Sequence, residues 1–254
     1  MKYRRFEPLD CELSQLVLGT TVYRDEREDA PLELLDAWLE LGGTIIDTGR
    51  EYGMAERIVG RWLRDRGVGD EMAILSKGAH QDAVRRRVTP ADIAADLHES
   101  LAELGRDAID LYLLHRDDPA VPVGPIMESL NEHRQAGLIR AFGASNWTTE
   151  RLAEANAYAA AHGLEGFSCA SPSLNLARQN EPAWPDCLSA ADVESRGWYT
   201  RTGLPLFAWS AQALAVVRAV VHAGGIGAVG TGKEAGRLRG PREQRQPGLG
   251  VPGA

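Results

Sequence analysis

The sequence predicts an α/β fold, a parallel (β/α) barrel, on three observations. Short apolar runs alternate with amphipathic helical patterns from the start of the chain to about Ala213. Most of those runs are continuously apolar, as strands covered on both faces are. Seven of them recur in one chain, which favours a barrel over a short doubly wound sheet. A doubly wound dinucleotide fold would also place G-x-G-x-x-G after its first strand, and LGTTVYRDE does not supply it.

The predicted strands are Leu16 to Thr20, Thr44 to Thr48, Ala73 to Lys77, Asp110 to His115, Ile139 to Ser145, Phe167 to Ser171 and Pro205 to Ser210. An N-terminal β-hairpin is expected to cap the bottom of the barrel. Pro31 to Leu41 has apolar residues at helical spacing and ends on Gly42-Gly43. Thr89-Pro90 opens a second helix, with Thr as N-cap, Pro in the first turn and Asp92 at the capping-box position. Glu150 to Gly163 repeats the scheme after Thr148-Thr149. Asn175 to Gly203 reads as a polar loop with Trp184, Trp198 and Tyr199 embedded in it; it either carries binding function or is pinned to the barrel by those aromatics.

From Leu214 the character changes. Residues 214–254 hold no Phe, Tyr, Trp or Asp, and six basic residues face only Glu234 and Glu243. The tail is therefore +4 in a chain of −8, leaving −12 on residues 1–213. A basic disordered tail is one explanation. Another is translation out of frame: codons for Arg242 to Gly253 can be chosen so that a one-nucleotide shift reads E-N-S-V-N-L-A-W-V-Y-L-A, an amphipathic helix. The domain division expected is 1–213 for the barrel and 214–254 for an aberrant tail.

Composition excludes several classes. With 44% hydrophobic and 25% charged residues in 254, the chain is an ordinary globular one. Its acidity argues against a nucleic-acid surface. The most apolar stretch, LAVVRAVVHAGG, is broken by Arg218 and His222 and is too short for a bilayer. Cys11, Cys169 and Cys187, an odd number at wide spacing, read as reduced thiols, and MKYRRFEPLDCELSQ lacks an apolar signal core, so a cytoplasmic location is expected. Nothing indicates an oligomeric state.

Four ionisable residues fall at or just after successive strand ends: Asp47, Tyr52, Lys77 and His115. In a barrel these ends meet at one mouth, where active sites lie. Asp47 and Lys77 are the obvious pair for two groups leaving apolar strands. Lys77 beside the Tyr52 phenol lowers its pKa, making it a proton donor to a carbonyl oxygen, with His115 donating a hydrogen bond to the same oxygen. Each residue alone has a bland explanation: a helix cap, a turn aromatic, a solvated lysine, a rim histidine. Their order and spacing together are far more specific.

With LGT, GTIIDTGREYG, ILSKGAH, LYLLHRDD, GLIRAFGASNW and PLFAWSAQA in this order from Lys2 to Ala213, the chain resembles the aldo/keto reductase superfamily. The resemblance implies a (β/α)8 TIM barrel that reduces aldehydes or ketones with NADPH and without metal. It puts the family tetrad on Asp47, Tyr52, Lys77 and His115, and the pair that binds the nicotinamide carboxamide on Ser145 and Asn146. Trp209 would stack on the nicotinamide, with Ser210 near the pyrophosphate and Gly19 and Thr20 beside the ribose. Ser171 stands where the family often has Gln. The last β/α unit, which would hold the adenosine 2′-phosphate, has no counterpart in the tail, so an incomplete barrel is expected. GGIGAVGTG there lacks the G-K-[ST] of a phosphate loop. Two other functions compete: a metal-dependent barrel hydrolase using His80, Asp82, His115 and Asp117, which Lys77 disfavours, and a non-catalytic or cofactor-sensing remnant of the barrel.

Overall fold

The computed structural model describes residues 1–23, 30–175, 182 and 184–211. The tail from Leu214, with the frame-shift expectation attached to it, lies outside them. Two strands, β1 (Tyr3–Phe6) and β2 (Cys11–Ser14), form an antiparallel hairpin across a 3-10 turn, Glu7–Leu9. Six strands then pair in chain order, all parallel: β3 (Leu18–Gly19), β4 (Ile45–Asp47), β5 (Ala73–Gly78), β6 (Ile109–Leu114), β7 (Ile139–Ser145) and β8 (Ala170–Ser171). One helix follows each: α1 (Ala30–Glu40), α2 (Ala55–Arg66), α3 (Pro90–Leu104), α4 (Val123–Gln135), α5 (Thr149–Ala161) and α6 (Val193–Thr202). Six successive β/α units in one parallel sheet make an incomplete (β/α) barrel, and among the described residues no strand pairs with the far edge of β3.

The core follows strand alternation. Ile45, Leu75, Leu111, Leu113, Ala141 and Cys169 face one side, where Phe6, Leu9 and Leu13 of the hairpin pack on them as the expected bottom cap. Ile46, Ile74, Tyr112, Leu114, Phe142 and Ala144 face the other, against Leu35, Ile58, Trp62, Leu97, Ile126 and Leu152 of the helices. Arg140 fastens the hairpin by donating to the Leu9 carbonyl at 3.0 Å.

The caps act as their sequences dictate. The Asp92 N–H donates to Thr89 Oγ1 at 3.3 Å, and that hydroxyl donates to Asp92 Oδ2 at 2.6 Å; Gly105, at φ 62, ends α3. Thr148 caps α5 by accepting from Arg151 N–H at 3.2 Å.

Two expectations need correction. The polar stretch Asn175 to Gly203 contains a helix, α6, capped by Asp192, which accepts the Ser195 N–H at 2.8 Å. Tyr199 is its only buried residue, so it shows no apolar stripe to read. Pro205 to Ser210 does not form a seventh strand; it makes only parallel bridges at Leu206 and Trp209. The cause is Pro172. Ala170 N–H donates to Pro205 O and Phe207 N–H to Ala170 O, both at 2.9 Å, while Trp209 N–H reaches Pro172 O and Leu174 N–H reaches Trp209 O at 3.2 Å. The donor missing between them is the one a proline lacks. The Ser171 hydroxyl takes its place, donating to Phe207 O at 2.7 Å.

Helices α2 and α3 touch where α2 carries Gly60. A methyl group there would run into the Leu104 carbonyl. Gly60→Ala is expected to lower unfolding free energy by about 1–3 kcal/mol, as read from urea denaturation, although alanine is the better helix former.

Candidate active site

The alternation that builds the core also builds the site. Two residues beyond the inward-facing Ile45, Leu75, Leu113, Gly143 and Cys169 stand Asp47, Lys77, His115, Ser145 and Ser171, each at its strand's C-terminal end. Tyr52 arrives by a different route, at the end of a 3-10 turn, Arg50–Tyr52, that follows β4. Lys77, 2% exposed, is the centre: its ammonium is ion-paired with Asp47 and donates to the Thr48 carbonyl at 3.0 Å and the Tyr52 hydroxyl at 3.1 Å. It also lies 4.9 Å from the Tyr52 ring centre. The His115 ring meets Tyr52 edge-on at 5.6 Å between centroids, and His80 covers it from another side at 4.8 Å. The four predicted residues therefore come together, and Tyr52 stays partly accessible.

Burial pulls the Lys77 ammonium down, but Asp47 and Tyr52 outweigh it, and its pKa ends above the ordinary lysine value. For the Tyr52 phenol the balance differs from the sequence expectation. Lys77 does lower its pKa, yet burial is the larger effect and leaves it above the usual tyrosine value. Burial, then the positive charge of Lys77, hold His115 well below the ordinary imidazole value, so its ring is neutral at physiological pH. His115 Nδ1 is buried without a hydrogen-bond partner.

The remaining predicted residues divide into two groups. Thr20, Ser145 and Ser171 are buried, and their hydroxyls tie neighbouring segments: Thr20 to Asp47 O at 3.0 Å, Ser145 to Ser171 O at 2.7 Å, Ser171 to Phe207 O at 2.7 Å. Asn146, at φ 58, donates to His115 O at 3.3 Å and Ser145 Oγ at 3.0 Å and accepts the Leu188 N–H at 3.1 Å. Gly19, Trp209 and Ser210 form the second group and retain accessible surface. A side chain on Gly19 would meet open space. The Trp209 indole donates to Ser171 O at 3.1 Å and leans on Trp184, 5.9 Å between centroids.

The residues of the metal-hydrolase alternative do not converge. His80 and His115 touch, but Asp82 accepts the Val84 and Arg85 N–H groups at 2.7 and 2.8 Å, and Asp117 pairs with Arg151 at 3.4 Å. Among the described residues no group of three His, Cys, Asp or Glu side chains is arranged to hold a metal ion. The sequence reading overlooked Arg116 and Glu56. Arg116 is buried beside His115 and lowers the pKa of both His115 and Tyr52. Glu56 lies behind the site and accepts the Ser76 hydroxyl at 2.5 Å. Its position one turn before Val59 and Gly60, on the buried stripe of α2, is a signal the sequence does carry.

The model of the Aldo/keto reductase family matches residues 15–195. The chain belongs to the aldo/keto reductase family. Similar relatives include Aldo-keto reductase YhdN of Bacillus subtilis (strain 168), 33% identical over 175 residues, covering 65% of this chain and 53% of the relative. Norsolorinic acid reductase stcV of Emericella nidulans is 29% identical over 194 residues, covering 65% and 48%. Protein tas of Escherichia coli (strain K12) is 29% identical over 182 residues, covering 58% and 53%. The chain spans about half the length of these curated relatives. The described helices include none long and apolar enough to cross a membrane.

Burial pushes the Glu56 carboxyl up to about 7. An acid whose folded pKa is raised binds its proton more tightly in the native state, so it favours the fold at low pH. That advantage is lost as pH rises from about 4.5 through 7, a change on the order of 3 kcal/mol. Glu56→Gln should remove this decline and make the variant more stable than the parent at pH 8, measured by urea unfolding at pH 5 and pH 8.

Proposed function

We propose that the site reduces the carbonyl of an aldehyde or ketone to an alcohol with NADPH, Tyr52 acting as general acid. The observation that carries this reading is the Lys77 ammonium bound at once to Asp47 and to the Tyr52 hydroxyl. The residues fit the nicotinamide end of the cofactor on two counts: the open space before Gly19 and the accessible Trp209. Gly19, Thr20, Ser145, Asn146, Ser171, Trp209 and Ser210 would hold it, those with committed hydroxyls or amides by exchanging present hydrogen bonds. When bound, NADPH supplies the hydride that reaches the carbonyl carbon.

The chain's own residues handle the oxygen. The Tyr52 O–H gives its proton to the oxygen as negative charge develops there, and the phenolate left behind is stabilised at 3.1 Å by the Lys77 ammonium. Asp47 keeps that ammonium charged and aimed. Neutral His115 donates a ring N–H to the same oxygen and orients the carbonyl.

A second reading, a non-catalytic remnant of the barrel, is favoured by one observation: both polar atoms of the Asn146 amide are engaged within the chain. One experiment separates the two. Fluorescence titration with NADPH, followed by turnover of a simple aldehyde, should give weak saturable binding and slow reduction in the full chain. Tyr52→Phe should leave cofactor affinity near the parent's and cut turnover by about 10² or more. Absence of both binding and turnover in the parent would favour the remnant.

A further inference from the structure

Asp96, on α3, is wholly buried and belongs to no part of the tetrad. Its two oxygens serve three different segments. Oδ2 accepts the Ala79 N–H at 2.8 Å. Oδ1 accepts Arg87 Nη2 at 2.5 Å and lies 3.4 Å from Arg50 Nε. Arg50 opens the 3-10 turn that ends in Tyr52, and it is steadied from solvent by Glu99 at 2.5 Å. Ala79 is two residues past Lys77, and His80 next to it rests on the His115 ring.

The local backbone is shaped for this contact. Ala79 holds φ 59, a left-handed conformation an alanine rarely adopts unless its surroundings impose it. Gly78 is needed for α3 to come so close. A Cβ there would stand 2.8 Å from the Asp96 Cβ and collide with the Tyr112 hydroxyl. A wholly buried carboxylate needs partners on both oxygens; this one takes a backbone N–H from the strand end bearing Lys77 and a guanidinium from the turn bearing Tyr52.

We propose that Asp96 is a positioning residue: through Arg50 on one side and the Ala79 N–H on the other, it sets the separation of Tyr52 and Lys77. The proposal rests on the reading of Tyr52 as proton donor and Lys77 as its partner. A shift of about 1 Å between such groups is enough to cost much of a rate, which is why a residue outside the chemistry can govern it.

The test uses the full chain with 3-fluorotyrosine at position 52, whose 19F resonance reports ionisation of that one phenol. Asp96→Asn keeps an acceptor for Ala79 and removes the charge that holds Arg50; Arg50→Ala removes the other end of the link and leaves Asp96 paired with Arg87. In both, the titration midpoint of residue 52 should move up relative to the parent, because Lys77 no longer rests against the phenol. Aldehyde reduction should lose roughly tenfold or more in kcat, with KM held within about threefold. Variants with native circular dichroism and an unmoved 19F titration would overturn the proposal. If Asp96→Asn does not fold, Arg50→Ala decides, since its side chain is partly solvated. A parent that reduces no aldehyde defeats the functional reading alone and leaves the 19F comparison to decide this one.

Discussion

The buried ammonium of Lys77 is the constraint on which the mouth of the barrel depends. A charge this far from water is tolerable only with partners on every donor. It finds three acceptors, the Asp47 carboxylate, the Thr48 carbonyl and the Tyr52 hydroxyl, and all three come from the end of β4 and the turn after it. Fixing one cation therefore fixes a strand end, a backbone carbonyl and a 3-10 turn at once.

Around that centre the site is layered by accessibility. Tyr52, Gly19, Trp209 and Ser210 face outward, whereas Lys77, His115, Ser145 and Ser171 are buried behind them. Lys77 acts on Tyr52 by charge, and the Ser171 carbonyl holds the Trp209 indole. The imidazole of His115 stands between the layers, buried, neutral and still short of one hydrogen bond. A buried nitrogen left without a partner costs the fold stability.

Much of this was legible in the sequence, and the remainder was hidden for identifiable reasons. The strands ending at Asp47, Lys77 and His115 were readable because they are apolar on both faces, and Thr89 and Thr148 announced their helices by cap chemistry. Tyr52 was readable by its place in EYG, five residues after a strand end. What misled was periodicity without context. Helix α6 buries only Tyr199, so its polar sequence looks like loop. Phe167 to Ser171 and Pro205 to Ser210 have strand composition, but the proline that follows the first breaks the ladder between them. The sign of the Tyr52 shift was missed because a neighbouring charge can be guessed from spacing, while depth of burial cannot.

Ser171 gives that broken ladder a consequence of its own. One hydroxyl substitutes for an amide the chain does not have, so a main-chain ladder is completed here by a side chain. The edge is only as ordered as one serine rotamer: turned away, Ser171 leaves the Phe207 carbonyl without this donor, while the main-chain bonds at Ala170 and Trp209 remain.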